Sequence, residues 1–204
     1  MTDPARTSLA PARRLALLGI ARRALLSGGA EGPPPERASR PAWLEKRRGV
    51  FVTLRMDGAL RGCIGVVRPD AGLAETVARC AAAAACEDPR FPSLTPDEAG
   101  ACSIEISLLD PPFEVRDPAA IVLGRHGLIV TRGTDRGLLL PQVAVEQGWD
   151  VERFRRETCR KAGLEEDAWE RGARLEAFCV EVVSDEPATA PRPSSPPPPR
   201  PATE

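Results

Sequence analysis

A chain of 204 residues is long enough for one sizeable core or for two small lobes. Its net charge of -1 supplies no global field for nucleic acid or an anionic membrane. With 4% aromatic residues and no Tyr, it has few platforms on which single-stranded bases could stack. One histidine and six scattered cysteines without a CxxC pair argue against zinc or iron–sulfur ligation, and P-loop, dinucleotide and HExxH motifs are absent.

The first ten residues read as a frayed terminus. From Leu9 to Leu26 the pattern is helical, with Leu15, Leu18, Ala21 and Leu25 expected on one face and Gly28-Gly29 as the stop. The apolar run Leu15 to Ala21 is short for a signal peptide, and arginines close it. No stretch approaches the roughly 20 apolar residues of a transmembrane helix. The expected location is the cytoplasm, with free thiols and no membrane. Pro33-Pro34-Pro35 places a loop between residues 32 and 41.

Val50 to Arg55 reads as a strand, Asp57-Gly58 as a two-residue hairpin turn, and Leu60 to Val67 as the returning strand. Gly62 and Gly65 interrupt that strand and mark a bulge or a close approach. Leu73 to Cys86 is an alanine-rich helix with Leu73, Val77, Cys80, Ala81 and Ala84 as its buried stripe. Thr95-Pro96-Asp97-Glu98 has the form of a capping box with Pro at the first helical position. Cys102 to Leu109 alternates, setting Ile104, Ile106 and Leu108 against Ser103, Glu105 and Ser107.

Gly127 to Arg132 and Leu138 to Val145 read as a strand pair joined through residues 133–137. Asp150 caps a helix that runs to about Ala162 and stops at Gly163, and Leu175 to Val183 closes as a strand. Residues 187–204 are rich in Pro, Ser and Ala and form a tail without a core. Antiparallel hairpins among separate helices make the chain α+β, with a folded domain over residues 11–186.

Seven strings occur in order: Phe51-Val52-Thr53-Leu54, Leu60-Arg61-Gly62-Cys63-Ile64-Gly65, Asp88-Pro89-Arg90-Phe91, Glu105-Ile106-Ser107, Gly124-Arg125-His126-Gly127-Leu128, Leu140-Pro141-Gln142-Val143-Ala144 and Thr158-Cys159-Arg160-Lys161-Ala162-Gly163-Leu164. Together they resemble the AMMECR-domain family, known in bacteria as AmmeMemoRadiSam system protein A, over roughly residues 13–186. The resemblance implies an AMMECR-type fold, mostly antiparallel sheets with flanking helices, in two unequal lobes around a cleft. It also implies association with a Memo-type dioxygenase-like protein and a radical-SAM protein, a trio for which RNA or nucleobase modification has been suggested. It implies no established reaction and no cofactor. Cys86 departs from the pattern, where a bulkier apolar residue is expected.

Cys63 is the leading candidate. It is a nucleophile if a cation or backbone amides lower its pKa, a non-catalytic member of a ligand or partner site, or a small buried core residue. On a regular strand Arg61 shares its face, while Gly62 and Gly65 either open N–H groups toward an anion or let another segment pack closely. His126, the sole histidine, either couples to Cys63 or bonds backbone at a turn. Glu105 is a general base, a partner for Arg61, or part of a solvated face. Asp88 and Arg90 present charges to a ligand or pair internally across Pro89. Gln142 completes the ligand-binding candidates.

Two functions compete. One is a binding or scaffold module built on the Arg61–Gly65 loop and the Asp88–Arg90 turn. The other is a Cys63-dependent enzyme acting on a small anionic or nucleobase-like substrate. An RNA-binding module is disfavoured by charge and aromatic content.

Overall fold

The computed structural model describes residues 9–27 and 41–185. The expected Gly28-Gly29 helix stop, the proline loop before Pro41, residues 1–8 and the tail from residue 187 lie outside them. The fold is α+β. The described chain divides into two compact units: one runs through Leu108 and resumes at Glu181, and the other spans Leu109 to Val180.

In the first unit, helix α1 (Pro11–Leu26) and helix α2 (Leu73–Cys86) pack on a sheet of β1 (Gly49–Met56), β2 (Ala59–Val66) and β3 (Ser103–Leu109). The C-terminal end of β7 (Arg174–Ser184) follows β3 in the strand order, leaving β2 at the edge. Asp57 and Gly58 both take positive φ, 51° and 77°, which is what a two-residue hairpin between right-twisted strands requires. The α2 stripe is buried as its spacing dictates.

Helix α1 instead buries Leu17, Ile20, Ala21 and Leu25, and Leu15 is 70% exposed. Apolar residues surround this helix, so periodicity alone admits two faces. Its packing against α2 selects the one centred on Ala21, whose small side chain lets the helices approach. The short helix α3 (Pro96–Ala101) starts at the expected capping box: Thr95 Oγ1 accepts from Glu98 N–H, and Glu98 accepts from Thr95 N–H.

In the second unit, β5 (His126–Arg132) pairs antiparallel with β6 (Asp135–Leu139) and with β7, while β4 (Phe113–Glu114) also pairs with β7. The β5–β6 turn is tighter than the sequence suggests, with only Gly133 and Thr134 between the strands. The chain also leaves the sheet at Leu140 rather than continuing to Val145. Pro141 opens helix α4 (Pro141–Glu146), where a missing N–H costs nothing, and the β-branched Val143 and Val145 lie on that helix. Helix α5 (Val151–Lys161) is capped by Asp150, which accepts from Arg153 N–H at 2.7 Å. Gly163 ends it at φ 73°. Phe154, Cys159, Leu128, Val130 and Leu175 form the core of this unit.

Candidate functional site

The Leu60–Gly65 string lies on β2, and its geometry starts with a register shift. Leu54 pairs with Gly62 but Arg55 pairs with Leu60, so Arg61 is the extra residue of a β-bulge. The expectation that Arg61 shares a face with Cys63 assumed a regular strand, and the bulge removes that premise. The Arg61 guanidinium donates to the carbonyls of Pro92 (2.7 Å) and Ser93 (3.4 Å) and meets both oxygens of Glu98. Its carboxylate partner is therefore Glu98, and not Glu105, for which pairing with Arg61 was one of three alternatives. Thr95 N–H and then Arg61 hold the Glu98 carboxyl below its usual range.

Gly62 faces α2. A Cβ there would stand 2.1 Å from the Ala84 carbonyl oxygen, so only glycine admits the helix this close. Gly65 lies under the ring of its cross-strand partner Phe51, whose Cγ would be 2.3 Å from a Cβ. Both glycines let other groups pack closely, and that is the work the structure gives them.

Cys63 projects from the opposite sheet face to Gly62, beside its partner Thr53. Thr53 Oγ1 donates to Cys63 Sγ at 3.3 Å, and Cys63 N–H donates to Asp88 Oδ2 at 2.8 Å. Asp88 thus caps a backbone group on the sheet edge. Asp88 to Phe91 is a β-turn closed by Phe91 N–H to Asp88 O, with Pro89 at the second position. Asp88 also accepts from Arg90 N–H and, bidentately, from the Arg90 guanidinium at 2.9 and 2.7 Å. Burial raises the Asp88 pKa, but the Arg90 guanidinium and the two backbone N–H donors outweigh it and bring it to about 2. Of the two readings of this turn, internal pairing is what its bonds describe. Arg90 remains at the surface, its guanidinium 5.4 Å from the Phe91 ring.

Glu105 lies on β3 at 8% exposure, so the solvated-face reading does not apply. Ser103 Oγ donates to Arg55 O at the end of β1, and Arg48, just before β1, reaches Leu108 O near the end of β3. The two strands therefore run antiparallel, and since Val50, Val52, Ile104 and Ile106 share one core, the alternate residues Phe51, Thr53, Glu105 and Ser107 lie on the other face. Cys63, paired with Thr53, lies on that same face. Composition and spacing did not single out Thr53, Ser107 or Glu98.

The remaining candidates belong to the second unit. His126 opens β5, and its Nδ1 accepts from Val122 N–H at 3.1 Å, as a turn histidine does. Its ring meets Phe113 edge-on at 5.5 Å. Gln142 is half-buried in the first turn of α4. Among the described residues no cluster of three His, Cys, Asp or Glu is placed to hold a metal ion, and no helix is long and apolar enough to cross a membrane.

Cysteine environments differ sharply. Burial pushes the Cys80 thiol up to about 11 and raises Cys102 and Cys159, whereas Cys63 is half-buried and Cys86 exposed.

The AMMECR1 family profile matches residues 18–183. A protein from Thermococcus gammatolerans is 41% identical over 184 residues, covering 83% of this chain and 89% of its own. One from Methanothermobacter thermautotrophicus is 50% identical over 153 residues, covering 72% and 80%. The crystal structure of the uncharacterized protein PH0010 from Pyrococcus horikoshii is similar at a TM-score of 0.77 and 40% identity, over 88% of this chain and 93% of that one. The chain is a member of the AMMECR1 family.

Proposed function

We propose that this chain is a cytoplasmic ligand- and partner-binding module whose recognition surface is the edge strand at Cys63 with the Asp88–Phe91 turn. It works with a Memo-type dioxygenase-like protein and a radical-SAM protein, in RNA or nucleobase modification. One observation supports binding over acid–base catalysis: the charged and amide groups of the motif bond to the chain itself. Cys63 N–H is engaged by Asp88, Arg61 by Glu98 and two carbonyls, and Arg90 by Asp88, which yields a preformed surface instead of an oxyanion site.

The second reading is a Cys63-dependent enzyme for a small anionic or nucleobase-like substrate. It is favoured by the Thr53 hydroxyl at Sγ and by the partial exposure of the thiol.

Co-purification of the full chain with the two partner proteins tests the first reading. Cys63→Ser keeps the complex, and Pro89→Glu at the exposed turn corner, which leaves the Asp88 bonds in place, disrupts it. Native thiol profiling from pH 5 to 9 tests the second. A Cys63 that is alkylated first and titrates well below about 8.5, together with loss of substrate conversion in Cys63→Ser, overturns the binding reading.

A further inference from the structure

Helix α1 is apolar on both sides, yet the fold buries only one of them. A helix that is apolar all round is ordinarily buried all round. At about 100° per residue, Leu15, Gly19 and Leu26 fall within about 40° of one another, on the side opposite Leu17, Ala21 and Leu25. Leu15 is 70% exposed there and Leu26 60%, about 16 Å apart along the axis. Gly19 lies between them. Gly62, Gly65, Gly127 and Gly137 are each pressed by a group that a Cβ would strike at 2.5 Å or less. Gly19 is not: an added Cβ would meet only the Nη1 tip of Arg23, at 3.4 Å. Glycine inside a helix is less stable than alanine, and no contact within the described chain requires this one. What it does supply is a notch, open to solvent, between two exposed leucines.

The charge on this helix is of one sign. It carries Arg13, Arg14, Arg22 and Arg23 and no carboxylate. Arg14 and Arg22 pair with Glu181 and Asp185, and Arg13 lies over the Trp43 ring. Arg23 is exposed at the rim of the notch and has no ion-pair partner among the described residues.

We infer that the outer face of α1, from Leu15 over Gly19 to Leu26, docks an acidic amphipathic helix of a partner protein. Leu15, Gly19, Arg22 and Leu26 follow the 4-3-4 spacing of a coiled-coil seam, which meets a partner helix over about three turns. A bulky apolar side chain of that helix seats on Gly19 between the two leucines, and a carboxylate one turn further along meets Arg23. The partner is acidic because the seam offers only cations. A second α1 does not fit, since it has no carboxylate to give Arg23. This surface is separate from the one at Cys63, and neither depends on the other.

The test uses two labelled peptides of about 18 residues, lactam-bridged to stay helical, with leucines at the same 4-3-4 spacing. One has glutamates beside the leucines and its twin has lysines. Fluorescence anisotropy with the full chain gives saturable binding of the acidic peptide and about tenfold weaker binding of the twin. Gly19→Leu fills the notch and weakens the acidic peptide about tenfold, and Arg23→Glu reverses the preference between the twins. Gly19→Ala raises the melting temperature by about 2–4 °C, the gain of a glycine that the fold does not use. Absence of binding, equal affinity for the twins, acidic-peptide binding that survives Gly19→Leu, or a lowered melting temperature in Gly19→Ala each overturn the inference. Two other occupants would overturn it as well. A dimer in sedimentation equilibrium that Leu15→Glu dissociates makes the occupant a second copy. Binding to vesicles of phosphatidylcholine and phosphatidylserine that Leu15→Glu abolishes, with no binding of either peptide, makes it a lipid surface.

Discussion

The two units solve the same packing problems with the same two devices. Gly62 on β2 admits the end of α2, and Gly137 on β6 admits the end of α5, where a Cβ would stand 2.5 Å from both Thr158 O and Ala162 N. Gly65 lies under Phe51 across the β1–β2 pair, and Gly127 lies under Phe178 across the β5–β7 pair. An aromatic ring over a cross-strand glycine covers backbone that has no side chain of its own. What differs is the company of the ring. Phe178 is fully buried and shares its sheet face with the equally buried Ile129 and with Glu176, which is ion-paired to Arg174, while Phe51 is half-exposed and shares its face with Cys63, Thr53 and Ser107. The glycines of the six-residue string are thus general architecture, and what is particular to the first unit is a half-exposed ring beside a half-buried thiol.

The largest expected effect strikes at the shared device. Gly62→Ala forces a methyl group onto the Ala84 carbonyl, a backbone atom that cannot swing aside, and costs about 3 kcal/mol or more in urea denaturation. Gly137→Ala meets two backbone atoms of α5 and is expected to cost nearly as much. A cost under about 1 kcal/mol for either would break the equivalence drawn between the units.

The next effect belongs to the first unit alone. Asp88 has a folded pKa of about 2 against an ordinary 3.8, so between those values the unfolded chain binds more protons than the folded one. Its contribution is fully present above about pH 4 and is lost as pH falls through about 2. Asp88→Asn keeps one acceptor for Cys63 N–H but leaves Arg90 without its charge partner. Since Arg90 is partly solvated, the cost falls below that of a fully buried pair, about 2 kcal/mol at neutral pH. Acid titrations of stability should lose a corresponding part of their slope between pH 4 and 2 in this variant. An unchanged slope would mean that another carboxylate carries it.

Much of this was legible in the sequence, and the exceptions have definite causes. The Asp57-Gly58 hairpin, the α2 stripe, the Thr95 capping box, the Asp150 cap and the Gly163 stop all depend on local chemistry and lie where the residues indicate. Gly62 and Gly65 marked a bulge or a close approach, but local chemistry did not say which residue is the extra one. Counting outward from a regular two-residue turn opposes Thr53 to Gly62, and only the extra residue Arg61 brings Thr53 opposite Cys63. One inserted residue therefore hid both the Thr53–Cys63 contact and the separate fate of Arg61. Glu98 was hidden for a different reason: its importance lies in a long-range partnership with Arg61, and no spacing rule encodes that. Pro141 misled through its neighbours, because valines on a six-residue helix look like a strand.

The smallest effect tests how far the first unit's edge depends on its own loop. Thr95→Ala removes the hydroxyl that accepts Glu98 N–H at 3.3 Å, half of the capping box, and is expected to cost about 1 kcal/mol. The interest lies in where that loss appears. Glu98 is held by Thr95 on one side and by Arg61 on the other, and Arg61 also holds the carbonyls of Pro92 and Ser93. A loosened cap therefore frees residues 92–98 from the bulge without touching Asp88, whose bonds run to Cys63 and Arg90. Hydrogen exchange should accelerate at Glu98 and Ala99 N–H, while Cys63 N–H stays protected and Cys63 keeps its alkylation rate. Faster exchange at Cys63 as well would show that the edge strand is held by one cooperative loop, and that the Asp88 turn is not an independent clamp on the thiol.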